Sequence, residues 1–308
     1  LPSPSSKLTS QMIEPIKVIE TMAYERTFNG NVYDMGQNFA GWTRLTVQGD
    51  AGDTVVLRHA EDINGDGTID PTTNGTAENT DTYILKGGGV EVYEPRFTYH
   101  GFRFVEVTTT GSPTIVNIEG RVVHNSVETV GEFLCSNTLI NRIHQNILWG
   151  MRSNLYGVLT DCPQRAERAG WLEVGHNLQE SLTFNFSMAR FYSKWMNDLK
   201  DDQEDTRFPV GSFANGTTAT QVPYIGWASW PGDLGWTSFP VIAPWHMYEH
   251  YGDKQILAEY YAGSKRFVDI IEEQAVNYLI IDSYNNFPNF ALFSDWGDPD
   301  TPSNYPTD

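Results

Sequence analysis

The sequence predicts a multidomain β + α protein in which a β-sandwich is followed by part of an α/α toroid. Two observations predict this fold class: near residue 130 the apolar residues change from strand-like to helical spacing, and the helical segments then follow one another across tight turns. A chain of 308 residues with 40% hydrophobic content can bury two cores. We therefore assign residues 1–130 to a β-sandwich domain and residues 131–308 to a helical domain.

The predicted sandwich depends on short segments rich in Val, Thr, Phe and Tyr that alternate with Gly and Asp turn clusters. This composition is typical of strands, and the regular spacing of the turns is typical of a β-sandwich. The clearest predicted strands cover residues 54–59, 102–108 and 114–123.

Beyond residue 130, apolar residues recur at intervals of three and four, as on one face of an amphipathic helix. Ser136 and Asp253 are suitable N-caps, and Gly252 with Asp253 makes a tight turn that leaves the flanking helices antiparallel. Repeated helix hairpins of this kind predict an α/α solenoid or toroid. The predicted faces comprise Leu139, Ile143 and Ile147, then Leu178, Leu182 and Phe186, then Ile256, Tyr260 and Phe267.

The helical domain is too short for a closed toroid of twelve helices. With its long Gly-, Pro- and Trp-rich loops, it has room for about five or six helices, and residues 298–308 have a loop composition. We therefore expect the remaining helices to come from the remaining part of the same polypeptide, as a separate chain or a missing segment.

Composition argues against two classes of partner. The net charge of −19 and the sequence pI near 4.6 oppose binding to nucleic acid and to anionic membrane surfaces. No apolar run reaches the roughly 18 residues of a membrane span. Glycosylation sequons at Asn74, Asn185 and Asn215 are compatible with a secreted glycoprotein, so we predict an extracellular location with no nucleic-acid or membrane partner.

The two cysteines and the histidines do not indicate a catalytic cofactor. Cys135 and Cys162 are too few for a disulfide framework, although a single bridge between them stays open. Packing explains Cys162 better than a catalytic thiol does. Six histidines lie within strand or helix patterns, and none of them has acids at convincing zinc spacing. They are His59, His100, His124, His144, His246 and His250. We therefore predict that catalysis needs no cofactor.

The candidate site centres on Asp-Cys-Pro-Gln-Arg-Ala-Glu-Arg-Ala-Gly-Trp at residues 161–171. Two acids and two arginines lie here between apolar helical patterns. Buried carboxylates beside guanidinium groups cost desolvation energy and tune one another's protonation, so this cluster indicates a functional site. The alternative interpretation is a structural ion pair between Asp161 and Arg165.

Tryptophans beside acids in later loops indicate a carbohydrate ligand. Sugar C–H faces stack on indole rings, and sugar hydroxyls donate hydrogen bonds to carboxylates. Ordinary packing explains any single Trp, whereas four in Gly- and acid-rich loops favour a sugar site. They are Trp227, Trp230 and Trp236 in residues 226–236, and Trp296 beside Asp295.

Four motifs in a fixed order resemble the α-L-rhamnosidases of glycoside hydrolase family 78. They are Tyr-Asp-Met-Gly-Gln-Asn-Phe-Ala-Gly-Trp at residues 33–42, Asp-Thr-Tyr-Ile-Leu-Lys-Gly-Gly-Gly at 81–89, Glu-Pro-Arg-Phe-Thr-Tyr-His-Gly-Phe-Arg-Phe-Val at 94–105, and Asp-Cys-Pro-Gln-Arg at 161–165 followed by Glu167. The resemblance implies a β-sandwich followed by the first part of an (α/α)6 catalytic barrel. It also implies a rhamnose-containing carbohydrate as the substrate.

The same resemblance implies roles for individual residues. Glu167 is the general acid that protonates the departing glycosidic oxygen, and the reaction inverts the anomeric centre. The general base is then expected late in the barrel, beyond Asp308. The implied substrate-binding residues are Asp161, Arg165, Trp171, Trp236, Asp295 and Trp296.

Three departures from the family pattern change the predicted sugar contacts. Ala166 replaces an acid beside the general acid, Glu173-Val174 replaces a Gly-Asp pair, and Thr237-Ser238 replaces another Gly-Asp pair. Each lost charged hydrogen bond to a buried hydroxyl costs roughly 1.5 to 3 kcal/mol, so Glu173 and His176 are candidate compensating ligands.

Three functions follow from these residues. The first is an inverting, exo-acting α-L-rhamnosidase that removes terminal rhamnose from a polysaccharide or glycoside. The second is a relative that cleaves a rhamnose–uronate linkage by elimination, with His176 or a Tyr as the base. The third is a non-catalytic sugar-binding homologue.

A possible calcium loop lies in Asp-Ile-Asn-Gly-Asp-Gly-Thr-Ile-Asp at residues 62–70. Oxygen-bearing side chains at positions one, three, five and nine surround a Gly at position six, as in EF-hand-like loops. Thr73 stands where a bidentate acid is expected at position twelve. An ordinary hairpin connection is the alternative. The predicted ligands are Asp62, Asn64, Asp66 and Asp70.

Overall fold

A computed structural model of the chain describes residues 9–204, 218–225, 234–275 and 277. It has two compact units: residues 1–169 with 184–187, and residues 170–183 with 188–308. The first unit continues past the boundary predicted at residue 130. It does so because the first helix packs on the sheet and because the backbone of Val130 hydrogen-bonds to that of Asn185.

The first unit is built on antiparallel strands, and all three strands predicted from composition are confirmed. They correspond to β4, β9 and β10, which are longer than predicted by one, four and two residues respectively. The strands are β1 (Ile16–Ala23), β2 (Arg26–Phe28), β3 (Val32–Gly49), β4 (Thr54–Ala60), β5 (Asp62–Ile63), β6 (Ile69–Asp70), β7 (Thr80–Ile84), β8 (Gly89–Tyr93), β9 (His100–Thr110) and β10 (Thr114–Asn125).

Strand β3 organises the main sheet, whose order is β1-β10-β3-β9-β4-β7. Its 18 residues also pair with β2 near one end and with β8 near the other. The register between β3 and β9 shifts between Asp34 and Phe39, which bends the strand. Strands β5 and β6 form a separate two-stranded ribbon.

Inward-facing side chains of β3, β4, β9 and β10 form the core of the first unit. Phe39 and Phe102 pack with ring centroids 4.6 Å apart, and Phe102 is fully buried. Alternation along each strand sends every second side chain to the same face, which explains how short apolar segments fill one core. The buried members are Met35, Phe39, Leu45, Val47, Val55, Leu57, Leu85, Phe102, Val105, Val107, Ile118 and Val122.

A buried carboxylate, Asp34, ties the bent part of β3 to β9. Arg103 donates to both of its oxygens at 2.7 and 3.0 Å, Arg26 donates at 2.9 Å, and the Gly36 N–H donates at 2.8 Å. Burial raises the pKa of Asp34, but these hydrogen bonds outweigh it and the net pKa is lowered. The ion pair is therefore well satisfied although its carboxylate side chain is fully buried.

Helix α1 (Thr138–Ser153) belongs to the first unit and packs against β3 and β10. The helix is confirmed, but its N-cap is Asn137, whose side chain accepts from the N–H groups of Leu139 and Ile140. The prediction of Ser136 as the cap was wrong by one residue, because Asn caps as well as Ser does.

The second unit contains helices that follow the predicted periodicity. Asp253 caps α7 as predicted, and Gly252 ends α6 in the left-handed conformation, with φ of 65°. Phe186 lies beyond the helix predicted for it and forms an isolated β-bridge with Thr129. The helices are α2 (Leu172–Asn177), α3 (Gln179–Asn185), α4 (Ala189–Glu204), α5 (Leu234–Thr237), α6 (Phe239–Tyr251) and α7 (Lys254–Gln274).

Two further sequence predictions bear on location. Asn74 is buried, and its side-chain amide donates to the His59 carbonyl at 3.0 Å, so a glycan at this sequon is incompatible with the fold. Asn185 is half-buried, and Asn215 lies outside the described residues. In the described part of the chain, every helix is too short or too polar to cross a bilayer.

We predict that Asp34→Asn destabilises the first unit by about 2 to 4 kcal/mol, because it leaves two guanidinium groups facing a neutral amide. The measurement is the midpoint of denaturant unfolding, followed by tryptophan fluorescence. Arg58→Gln is the matched control, because it breaks an exposed pair with Glu106 and costs less than about 1 kcal/mol. Equal midpoints for the two variants contradict the structural role of Asp34.

Candidate active site

Residues 154–169 leave α1 and carry the predicted general acid on a loop that lies against the sandwich. The Tyr156 ring stacks on the Tyr99 ring with centroids 3.8 Å apart and planes 10° apart. The Tyr156 hydroxyl donates to the Val123 carbonyl at 2.5 Å. Burial raises the pKa of Tyr99 to about 12 and also raises that of Tyr156, so both rings stay neutral anchors.

Two carboxylates and a thiol come together on this loop. Asp161, Cys162 and Glu167 each place one oxygen or sulfur atom within 4.8 Å of the others. The Cys162 thiol donates to Asp161 Oδ2 at 3.1 Å. Asp161 Oδ1 is buried and accepts no hydrogen bond from the described residues. The cluster therefore presents a buried acceptor beside the predicted acid, as a hydroxyl-binding site requires.

The two arginines of the loop have different surroundings. Arg165 is exposed and, among the described residues, makes no ion pair with Asp161, which argues against the purely structural alternative. Arg168 lies over the Tyr99 ring at 4.3 Å and donates from Nε to the Arg165 carbonyl at 3.0 Å. Its φ of 49° is unusual for a side chain of this size. Arg168 therefore supports the loop, whereas Arg165 is accessible to a ligand.

In the second unit, the rings of Trp171 and Trp236 lie together. Their ring centroids are 6.5 Å apart with planes at 73°, an edge-to-face arrangement. Backbone pairing fixes the first of them, because Trp171 forms a β-bridge with Gln221 and the Leu172 N–H donates to the Thr220 carbonyl at 2.9 Å. We call this pair of indole rings, Trp171 and Trp236, the aromatic corner.

The candidate compensating residues both lie on α2. The Asn177 amide donates to the Glu173 carboxylate one turn away. His176 is buried and lines an open pocket of about 520 Å³ with Trp245 and His246. Burial lowers the pKa of His176, and the nearby His246 lowers it further, so its ring is neutral at neutral pH.

Four of the predicted sugar-site residues, Trp227, Trp230, Asp295 and Trp296, lie outside the described residues. The two cysteines are free thiols and form no bridge. Burial raises the pKa of Cys162, and the hydrogen bond to Asp161 raises it further, which excludes a ready thiolate nucleophile.

The predicted calcium ligands are occupied by local turns. Asp66 Oδ1 accepts from the N–H and hydroxyl of Thr68, and Asp70 Oδ1 accepts from the N–H and hydroxyl of Thr72. The Asn64 amide donates within the same ribbon, and Asp62 accepts from the next backbone N–H. These contacts favour the hairpin interpretation, in which strands β5 and β6 pair across the loop.

Sequence reasoning missed the contribution of the sandwich to this loop. Asn79 donates from Nδ2 to the Gln164 carbonyl at 2.6 Å, and Arg168 donates to Asn79 Oδ1 at 3.4 Å. A side chain at Gly101 would meet the Gln164 nitrogen at 2.7 Å, so only glycine lets the loop approach β9 this closely. The resemblance motifs at 81–89 and 94–105 flank these contacts and were the only signal.

An antiparallel β domain followed along the chain by paired helices is the order of a concanavalin-like domain and a six-hairpin glycosidase domain. Residues 128–308 match the model of the bacterial alpha-L-rhamnosidase 6 hairpin glycosidase domain, and residues 26–124 match the bacterial alpha-L-rhamnosidase concanavalin-like domain. The chain belongs to the bacterial α-L-rhamnosidase family. The predicted resemblance and fold class are thereby confirmed.

Individual relatives agree with this assignment. An α-L-rhamnosidase of Streptomyces avermitilis is 40% identical over 258 residues, which are 82% of this chain and 24% of that protein. The structure of the α-L-rhamnosidase from Dictyoglumus thermophilum matches with a TM-score of 0.82 and 44% identity, over 89% of this chain and 31% of that chain. The S. avermitilis structure complexed with L-rhamnose matches with a TM-score of 0.80 and 38% identity, over 87% and 26%. This chain spans about a quarter to a third of the length of these relatives.

We predict that Cys162 in the folded protein reacts with iodoacetamide at pH 7.5 at least about tenfold more slowly than a free cysteine, because its raised pKa keeps it a thiol. Mass spectrometry of peptides after timed alkylation measures the rate. The same peptide alkylated after denaturation is the control. A Cys162 rate equal to that of the denatured protein contradicts the buried thiol–carboxylate contact.

Proposed function

We propose that this chain supplies the acid side of the active site of an α-L-rhamnosidase that removes terminal rhamnose from a polysaccharide or glycoside. The observation that carries the proposal is the cluster of Asp161 and Glu167 on one loop, with a buried carboxylate oxygen that needs a donor. In this assignment Glu167 protonates the glycosidic oxygen, while Asp161 and the exposed Arg165 bind sugar hydroxyls. Catalysis by protonation and hydration needs no cofactor.

The aromatic corner supports a sugar ligand through stacking. Trp171 and Trp236 offer an apolar surface, and a pyranose ring presents C–H groups that suit it. The Streptomyces avermitilis relative was crystallised with L-rhamnose. We infer that rhamnose is also the sugar this chain recognises, with Glu173 contributing to a modified subsite.

Asp161 does not serve as the second catalytic carboxylate. Its oxygen lies no more than 4.8 Å from that of Glu167. This oxygen–oxygen distance is shorter than the roughly 6.5 to 9.5 Å that separates the two catalytic carboxyl groups of inverting glycosidases. We propose that the reaction inverts the anomeric centre and that the general base is a carboxylate elsewhere in the polypeptide.

The test is hydrolysis of a nitrophenyl α-L-rhamnoside by the natural polypeptide. We expect Glu167→Gln to lower kcat by about 10² to 10⁴, because it removes the proton donor, while Asp161→Asn mainly raises KM. Glu259→Gln, an exposed change of the same chemistry on α7, is the control and leaves the rate unchanged. Proton NMR of the first product measures stereochemistry, and β-rhamnose is the expected anomer.

Two other results of this assay would identify the alternative functions, a sugar-binding homologue and an eliminating enzyme. Rhamnoside binding without turnover by the natural polypeptide indicates a sugar-binding homologue. An unsaturated, ultraviolet-absorbing product from a rhamnose–uronate substrate indicates elimination. Full activity of Glu167→Gln contradicts the assignment of the acid.

Calcium at residues 62–70 and an extracellular location are secondary parts of the proposal. Calcium binding requires the side chains of Asp66 and Asp70 to leave their turns. If the site exists, calcium raises the Tm of the natural protein and leaves that of Asp66→Ala unchanged. An identical Tm with calcium and with a chelator identifies the loop as a plain hairpin connection.

A further inference from the structure

The Glu167 loop is held by a polar network inside the sandwich, and Asn79 is its central member. Asn79 precedes β7, is buried, and adopts a left-handed conformation with φ of 43°. Its backbone carbonyl accepts from the His59 N–H at 2.9 Å and lies 3.0 Å from His59 Nδ1. The contacts of its carbonyl with His59 therefore hold the Asn79 backbone in place, which limits the positions that its side chain can take.

The side-chain amide of Asn79 forms hydrogen bonds with residues on both sides of Glu167 in the sequence. Its Nδ2 donates to the Gln164 carbonyl, three residues before Glu167, and its Oδ1 accepts from Arg168, the residue directly after it. The contact to Gln164 fixes the orientation of the amide, because a carbonyl accepts only from the nitrogen end. Asn79 Oδ1 must therefore be an acceptor.

The buried His100 ring lies beside this amide. His100 Nδ1 lies 3.3 Å from Asn79 Oδ1, and His100 Nε2 lies 3.1 Å from Asp81 Oδ2. Asp81 therefore contacts the ring on the side away from Asn79 and helps to fix its orientation. The His59 ring stacks on the His100 ring with centroids 4.3 Å apart, and burial together with the neighbouring His100 lowers the pKa of His59 to about 3.

These rings do not form a metal site, although His59, Asp81 and His100 are close enough to be considered. The two imidazoles are stacked with planes only 19° apart, so their nitrogens do not converge on one point. Each ring nitrogen already faces a protein partner, including Thr43 at 3.0 Å from His59 Nε2. The network is therefore a support built from hydrogen bonds.

We propose that Asn79 is a positioning residue for Glu167. It acts through its hydrogen bonds with Gln164 and Arg168, and the Asp81–His100 pair holds the Asn79 side-chain amide in one orientation. The inference rests on the proposed function of Glu167 as the general acid. Residues 161–168 contain no helix or strand, so side-chain anchors set where Glu167 lies. A displacement of about 1 Å at a catalytic group costs up to about 100-fold in rate.

The dependence of kcat/KM on the leaving group of the substrate tests this proposal. An alkyl rhamnoside needs full protonation of its departing oxygen, whereas a dinitrophenyl rhamnoside needs almost none. We expect Asn79→Ala to lower kcat/KM about 10- to 100-fold for the alkyl substrate and less than about threefold for the dinitrophenyl substrate. The ratio of the two rates does not depend on how much protein is folded, so partial unfolding does not obscure it.

Two further variants sharpen the test on the natural polypeptide. Asn79→Asp keeps an acceptor for Arg168 and His100 but loses the donor to Gln164, so it shows the same change in ratio. Asn117→Ala, an exposed asparagine on β10, is the matched control and leaves the ratio unchanged.

The outcomes separate this proposal from the proposed function. If the unaltered protein hydrolyses neither substrate, the proposed function fails. If it hydrolyses both and Asn79→Ala lowers the two rates equally or leaves both unchanged, the positioning role is wrong while the hydrolase assignment stands. If Asn79→Ala is insoluble, the ratio for Asn79→Asp decides.

Discussion

The structure of the candidate site depends on one constraint, the attachment of residues 154–169 to the sandwich. This segment has little regular backbone hydrogen bonding of its own. It is held by the Tyr99–Tyr156 stack, which buries apolar surface, and by Asn79, which supplies directional hydrogen bonds. Apolar burial fixes the distance between loop and sheet, while polar contacts select one conformation from those that the distance allows. The sandwich thus acts as a scaffold for the predicted catalytic loop.

The acids in the four resemblance motifs have different physical roles. Asp34 and Asp81 are buried, and each contacts a side chain of β9, Arg103 and His100 respectively. Burial of these carboxylates costs energy that such contacts offset, so both serve the fold. Asp161, by contrast, is half-buried with one oxygen that lacks a donor in the described part of the chain. This open acceptor supports the binding role proposed for Asp161.

Much of the fold was predictable from the sequence because it follows from local periodicity. Segments rich in Val, Thr, Phe and Tyr predicted β4, β9 and β10, and the Gly252-Asp253 pair predicted the turn between α6 and α7. The cluster at residues 161–171 was predicted as a functional site from its residue types, whereas the role of each residue in it came only from the family motifs. Asn79 was not predictable, because its partners lie 85 and 89 residues away and no local pattern reports such a contact. The calcium pattern stays a prediction, since the same Asx residues also form turns.

The departures from the family pattern shift the expected source of sugar affinity from charge to stacking. Ala166 is exposed and offers no polar group, Val174 is apolar, and Ser238 can hydrogen-bond but carries no charge. The Trp171–Trp236 corner remains, and a stacked pyranose gains from apolar burial that does not depend on charged hydroxyl contacts. A subsite of this kind discriminates less by individual hydroxyls and more by the shape of the ring face. If rhamnose is the sugar, as proposed above, we expect such a subsite to accept substituted hydroxyls better than a subsite built on charged contacts does.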